Sequence, residues 1–361
     1  MPVPQRDLEL TRKQLGEWFE SRLPGASKIE LSTLRGPSNT GFSSDTLMFD
    51  LSWDENGREQ REELVARIEP TGVRVFPHYD LDRQFRVMQS LADTDVPVPR
   101  MFGQEKGSQV LGVPFYLMQR VEGCIPPDSP TYHTEGWVAE LEPAQRESIW
   151  WSGLEVLARI HRLDWRELGL EFLDDAPPNV SSIERQLADY ERFLAWAAAG
   201  KRPPACDKGL AWLRRNLPRQ PEPVALCWGD SRLGNMIFHD DRCVAVLDWE
   251  MVTLGNPEQD FAWWLFFDRH HSEGIGVPRL SGFPKREESI ARYQEWTGRT
   301  VHNLEYYEIF AALRFSVIMV RVAQQLTIHG LLPEDSEFAL DNPSTRLLST
   351  LLETATPGSS V

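Results

Sequence analysis

The sequence predicts an α+β chain of two lobes, a small one built on an antiparallel sheet and a larger, mainly helical one after it. Three observations carry this. The chain has 361 residues and 41% hydrophobic content, which suffices for a large core and is long for one domain. Strand-like runs fall early in the chain. From Glu142 onward, helical spacing of apolar residues dominates.

Residues 7–23 carry Leu10, Leu15, Trp18, Phe19 and Leu23 among charged neighbours, a helical spacing ended by Pro24-Gly25. Strands are predicted over Ile29 to Leu34, over Ser44 to Trp53 with Leu47, Phe49 and Leu51 alternating, and over Glu63 to Ile68. Between the first two, Gly36-Pro37-Ser38-Asn39-Thr40-Gly41 reads as a small-residue hairpin. In the third strand Leu64, Ala66 and Ile68 share one face, so Val65 and Arg67 take the other, and Arg67 is expected at a cleft or in solvent. The apolar run from Val110 to Met118 predicts a buried strand that leaves its sheet at Gln119-Arg120-Val121-Glu122-Gly123. Helices are predicted over 142–163, 182–199, 207–216, 286–297 and 304–329. His161, near the end of the first of these, is expected to be a structural hydrogen-bonder, and Trp263-Trp264 and Phe266-Phe267 are expected in the core.

No segment reads as an uninterrupted apolar run able to span a bilayer, and the opening residues lack the apolar core of a signal peptide. A cytoplasmic protein is expected. The four cysteines are scattered without a C-x-x-C pair, which fits reduced structural thiols better than zinc or disulfides. A formal charge of −16 disfavours nucleic acid and anionic membranes as partners and suits a cationic ligand or a metal–nucleotide complex, although it also serves as ordinary solubilising charge.

The chemistry concentrates in the stretch LCWGDSRLGNMIFHDDRCVAVLDWEMVTLGNPEQD, Leu226 to Asp260. Asp230 and Asn235 are five apart, the interval of the catalytic-loop pattern D-x-x-x-x-N, in which the Asp accepts a hydroxyl proton and the Asn holds magnesium. Asp248 follows the apolar strand Cys243 to Leu247, where a second metal-binding carboxylate is wanted. Each residue alone also has a bland reading, an Asx turn for Asp230 or a polar strand end for Asp248. The three together at these intervals do not.

The run Gly229-Asp230 with Gly234-Asn235, then V-L-D-W-E, then G-N-P-x-x-D, resembles the aminoglycoside phosphotransferase family of kinase-like enzymes, in the branch related to kinase-like domains associated with acyl-CoA dehydrogenases. The resemblance implies a protein-kinase-like fold: a nucleotide-binding lobe over 1–118, a hinge over 119–123 and a catalytic, acceptor-binding lobe over 124–361. It implies ATP or GTP with Mg2+, Asp230 as catalytic base, and Asn235 and Asp248 as metal ligands. Ser38, Asn39 and Thr40 become the phosphate-covering loop, and Met118, Gln119 and Val121 the hinge that meets the purine. Asp260 becomes a support for the catalytic loop, at a place that also suits a helix N-cap.

The chain departs from the family at three places. Arg67 stands where the family has lysine, Gln84 where its glutamate falls, and Trp228 where histidine is usual. Arg67 would hold phosphate oxygens through a planar fork, unless it makes only a surface ion pair. Trp228 must support the loop differently, and its presence weakens an antibiotic as substrate. Two readings follow: a small-molecule kinase acting on an aminoglycoside, another amino alcohol or sugar, or a hydroxyacyl thioester; or a catalytically inactive nucleotide- or partner-binding module.

Overall fold

The computed structural model describes residues 6–36, 45–72, 74–175, 177, 179–198, 200–218 and 224–355. The chain divides into two units, one of Met1–Ala92 with Pro99–Val121 and one of Asp93–Val98 with Glu122–Val361.

The first unit opens with α1 (Leu8–Arg22), capped by the Asp7 carboxylate, which accepts the Leu10 amide at 3.0 Å. Strands β1 (Ala26–Leu31), β2 (Asp45–Glu55) and β3 (Arg58–Ile68) follow, then α2 (Leu81–Leu91), β4 (Met101–Glu105) and β5 (Phe115–Gln119). They form one five-stranded antiparallel sheet in the order β1-β2-β3-β5-β4. Strands β2 and β3 run longer than the spacing predicts and meet at Asn56-Gly57, both at positive φ, the residue pair of a tight two-residue hairpin. One face of the sheet carries the core. Leu64, Ala66 and Ile68 of β3 join Phe49, Leu51, Phe115 and Leu117 under Leu15, Trp18 and Phe19 of α1, and each large side chain so buried contributes about 1.5–3 kcal/mol. Leu10, expected on that face, is 52% exposed.

In the second unit the elements are α3 (Trp137–Glu140), α4 (Pro143–Arg162), α5 (Ser182–Ala198), α6 (Pro204–Arg215), β6 (Ala225–Cys227), β7 (Met236–His239), β8 (Arg242–Val246), β9 (Thr253–Gly255), α7 (Glu258–His271), α8 (Arg286–Thr297), α9 (Leu304–Ile328) and α10 (Pro343–Thr354). The predicted helices are found with ends shifted by at most a few residues. One expectation is corrected. Helix α9 is long and apolar enough to cross a bilayer by length and composition, the arginines within it having masked the signal in the sequence. Here it is a core helix, packed against α5, α6, α7 and α10.

Two short antiparallel pairs, β6 with β9 and β7 with β8, bracket the motif stretch. The chain passes from β6 through residues 228–235 into the β7–β8 hairpin, turns at Asp248, pairs back as β9 and enters α7.

Candidate functional site

Asp230 lies in the loop between β6 and β7 and is 8% exposed. Three side chains converge on its carboxylate. Asn235 Nδ2 donates to Oδ2 at 2.6 Å and also to the Asp230 carbonyl at 3.0 Å. Trp263 Nε1 donates to Oδ1 at 2.8 Å. Arg232 Nε is shared between Oδ1 and Oδ2 at 3.1 and 3.2 Å. Arg232 Nη1 in turn donates to Asp128 Oδ2, and its guanidinium lies over the Phe267 ring, 5.3 Å from the centroid. The Arg232 guanidinium holds the Asp128 carboxyl below the usual range against the opposing effect of burial, with His271 as a further cause. Asp128, Arg232 and Trp263 were not assigned to the site from the sequence: Asp128 and Trp263 approach from distant segments, which leaves no spacing to read, and Arg232, two residues after Asp230, carries no motif signal of its own. Trp263 is in the core as expected, with the further task of donating to Asp230.

Asp248 sits in the left-handed region at φ 61°, ψ 63°. A non-glycine residue held there costs about 1–3 kcal/mol and is concentrated at functional sites. The residue before it is held by two hydrogen bonds. The Trp228 indole donates to the Leu247 carbonyl at 2.8 Å, and the Leu247 amide donates to the Asn235 carbonyl at 2.9 Å. Trp228, fully buried, thus ties the loop bearing Asp230 to the residue before Asp248.

The loop is braced from behind. Asp260 accepts the amides of Trp228 at 2.5 Å and Gly229 at 3.0 Å, and Arg314 of α9 donates to the Gly229 carbonyl at 2.8 Å. Gly229 has φ 96°, and a Cβ there would stand 2.2 Å from the Met251 carbonyl oxygen, so the glycine of the motif is sterically required. Asp260 is not an N-cap: it is the third residue of α7, and Asn256 Oδ1 caps the Glu258 amide at 2.8 Å. His161 is structural, with Nδ1 2.6 Å from the Tyr293 hydroxyl and Nε2 3.4 Å from Asp260. His161, Cys227 and Asp260 bring ligand-type atoms within 4.8 Å of one another. Burial pushes the Cys227 thiol well up, and both Asp260 oxygens are occupied by loop amides, so the cluster acts as a brace.

In the first unit, Arg67 is half-buried on β3 and its Nη1 donates to Thr46 Oγ1 at 3.1 Å. Its cross-strand partner is Tyr116, whose hydroxyl donates to the buried Gln84 Oε1 at 3.2 Å. Gln84 therefore fills its place with a neutral hydrogen bond to Tyr116. Met118 is buried on β5, and the Gln119 amide bonds the Arg100 carbonyl at 2.9 Å. Val121 follows the end of β5 as the last residue of this unit. Ser38, Asn39 and Thr40 lie outside the described residues.

The model of the phosphotransferase enzyme family matches residues 43–296. Acyl-CoA dehydrogenase family member 11 of Rattus norvegicus is 32% identical over 87% of this chain, and family member 10 of Mus musculus is 36% identical over 56% of it. The chain spans 38% of the first relative's length and 18% of the second's. A provisionally assigned aminoglycoside phosphotransferase of Ralstonia eutropha is 26% identical, with a TM-score of 0.70, over 95% of this chain and 98% of that one. The likeness extends, as a likeness of fold, to an aminoglycoside phosphotransferase in ternary complex with ADP and hygromycin B, at 14% identity and a TM-score of 0.55 over 95% of this chain and all of that one. The two-lobed kinase-like fold expected from the sequence is the fold found.

Proposed function

Because the chain belongs to the phosphotransferase enzyme family, we propose that it transfers the γ-phosphoryl group of ATP or GTP to a hydroxyl of a small molecule, with Asp230 as base. The observation that carries this reading is the convergence of Asn235 and Trp263 on the Asp230 carboxylate. A carboxylate so oriented takes the proton of the acceptor hydroxyl as its oxygen bonds to the γ-phosphorus and the bond to the nucleoside diphosphate breaks. The Arg232 Nε contact, shared between both oxygens, is the one that opens to admit the hydroxyl, while Asn235 and Trp263 hold the carboxylate plane.

Asn235 and Asp248 suit magnesium. Asn235 uses Nδ2 on Asp230, which turns its Oδ1 to ligand duty, and Asp248 offers a carboxylate at a fixed turn; both are hard oxygen donors. The ion there would neutralise charge on the phosphate oxygens. From the first unit, Arg67 would supply a guanidinium to phosphate, and the main chain of Met118, Gln119 and Val121 would meet the purine. The phosphate-covering role of Ser38, Asn39 and Thr40 rests on the family resemblance alone.

The acceptor is an aminoglycoside, another amino alcohol or sugar, or a hydroxyacyl thioester. The relatives' names, acyl-CoA dehydrogenases, are in keeping with the thioester, and Trp228 in place of the family histidine weighs against an antibiotic. The hold of Arg232 on both Asp230 oxygens is the observation that favours a second reading, an inactive nucleotide- or partner-binding module.

One experiment separates them: thermal shifts with magnesium and ATP or GTP, followed by a phosphate-transfer screen over hydroxyl compounds. Asp230→Asn should keep the nucleotide-dependent shift and lower transfer by about 10²- to 10⁴-fold. Asp248→Ala should abolish the magnesium-dependent shift, and Asn235→Ala should weaken it less, since the carboxylate adds charge to its oxygen. Near wild-type turnover by Asp230→Asn on an identified acceptor would sink the assignment of the base. A wild type that binds nucleotide and transfers phosphate to nothing tested would favour the inactive module.

A further inference from the structure

The Asp230 carboxylate, in this arrangement, has no place left for a proton from outside. A carboxylate offers about four lone-pair sites on its two oxygens. Oδ1 accepts from Trp263 Nε1 at 2.8 Å and from Arg232 Nε at 3.1 Å, and Oδ2 accepts from Asn235 Nδ2 at 2.6 Å and from the same Arg232 Nε at 3.2 Å. Every site is taken.

Two of the three donors are fixed by their surroundings. Trp263 is buried on α7, and the buried Asn235 is tied to the Asp230 carbonyl at 3.0 Å as well. Arg232 is the donor able to move, since its side chain keeps 17% of its exposure and is held at its far end by Asp128 Oδ2 and by the Phe267 ring. The sequence makes room for that hold. A Cβ on Gly234 would collide with both Asp128 Oδ1 and Arg232 Nη1, so the second glycine of the motif leaves the space in which the pair closes beside the base.

We propose that Arg232, anchored by Asp128, makes the site choose a hydroxyl compound over water; this rests on the kinase reading with Asp230 as base. With Nε across both oxygens, neither water nor an alcohol can pass a proton to Asp230 until the guanidinium is displaced. An acceptor binds through parts of itself that do not react, and that binding energy offsets the cost of the displacement. A water molecule has no such parts. Were Arg232 removed, water would take the acceptor's role: its proton passes to Asp230 and then to solvent, its oxygen bonds to the γ-phosphorus, and the bond to the nucleoside diphosphate breaks, leaving the diphosphate and inorganic phosphate.

The test follows release of inorganic phosphate from ATP with magnesium and no acceptor, on the full chain, beside the ATP-dependent thermal shift. Wild type should hydrolyse slowly, and Arg232→Met should raise kcat for hydrolysis by about tenfold or more while KM for ATP stays within about twofold. A merely loosened fold would instead raise KM and shrink the thermal shift. Because Arg232→Met strips Asp128 of its partner, the double variant with Asp128→Leu is measured as well and should show the same rise. Arg232→Lys keeps a cation but loses the planar Nε contact with both oxygens, and should fall between wild type and Arg232→Met. Adding Asp230→Asn to Arg232→Met should cancel the rise. Hydrolysis unchanged or lower in both Met variants, with the ATP-dependent shift retained, would overturn the role of Arg232 and leave the kinase reading standing, and so would a rise that survives Asp230→Asn. A wild type without an ATP-dependent shift, and without hydrolysis in any variant, would overturn both.

Discussion

Arg232 is the residue on which the charges of the site balance. It lies between Asp128 and Asp230, with Asp248 a further contributor to its electrostatic surroundings, and these carboxylates raise its own proton affinity against the opposing effect of burial. Removing one partner of such a group leaves the others uncompensated, whereas removing a pair together does not. Arg232→Met should therefore destabilise the protein by about 2–3 kcal/mol, short of the ~3–5 kcal/mol of a fully buried pair, because the Asp128 side chain keeps 39% of its exposure. Adding Asp128→Leu should recover part of that loss, as urea denaturation of the single and double variants would reveal. Additive losses would mean that the two side chains do not interact energetically.

At the scale of the element, the loop of residues 228–235 owes its form to side chains from other parts of the fold: Asp260 from α7, Arg314 from α9, and the Trp228 indole reaching Leu247. Trp228→Phe replaces the indole with a smaller ring and deletes its donor, leaving the half-buried Leu247 carbonyl without it. The expected loss is about 1–3 kcal/mol of stability together with a smaller magnesium-dependent thermal shift, since Asp248 is the next residue. Unchanged magnesium response would separate the indole from the turn at Asp248. Elements were legible where periodicity or local chemistry encodes them. The alternation of Leu47, Phe49 and Leu51 and the apolar spacing of α4 reappear as strand and helix. The Asn56-Gly57 signal was present and overlooked, which cut β2 and β3 short, and β4 had too few alternating apolar residues to stand out. In the site, Asp230, Asn235 and Asp248 were readable because loop and strand end are close in sequence. Trp263, 33 residues from Asp230, and Asp128, 104 residues from Arg232, were not, because such meetings are set by the packing of α7 and by the path of the chain before α3.

For the whole molecule, acid sensitivity should centre on the end of α7. Burial is the first cause that pushes the His270 imidazole down to about 3 and that of His271 down to about 4, from an ordinary 6.5. In the unfolded chain both take up protons as the pH falls below 6.5, and in the folded protein they do so only near 3 to 4. The folded state thus loses stability as the pH falls through that window, by up to about 1.4 kcal/mol per pH unit for each group. Urea midpoints at pH 7 and pH 5 should show a smaller drop for His271→Gln than for wild type. Equal drops would place the acid sensitivity elsewhere; the lowered Asp128 acts in a separate window, below its ordinary 3.8.

Helix α9 is as long and apolar as a bilayer-spanning segment, and it is covered only once α5, α6, α7 and α10 have packed around it. Of those four, α10 is the last to be synthesised. While the nascent chain waits for it, residues 304–328 are open to lipid and to other unfolded chains. The guanidinium of Arg314, near the middle of that helix, opposes entry into a bilayer by about 2.5–3.5 kcal/mol. The side chain that grips the Gly229 carbonyl thus also sets a charge in the middle of its own apolar helix, and a substitution chosen to probe the loop of residues 228–235 at this position would remove that charge as well.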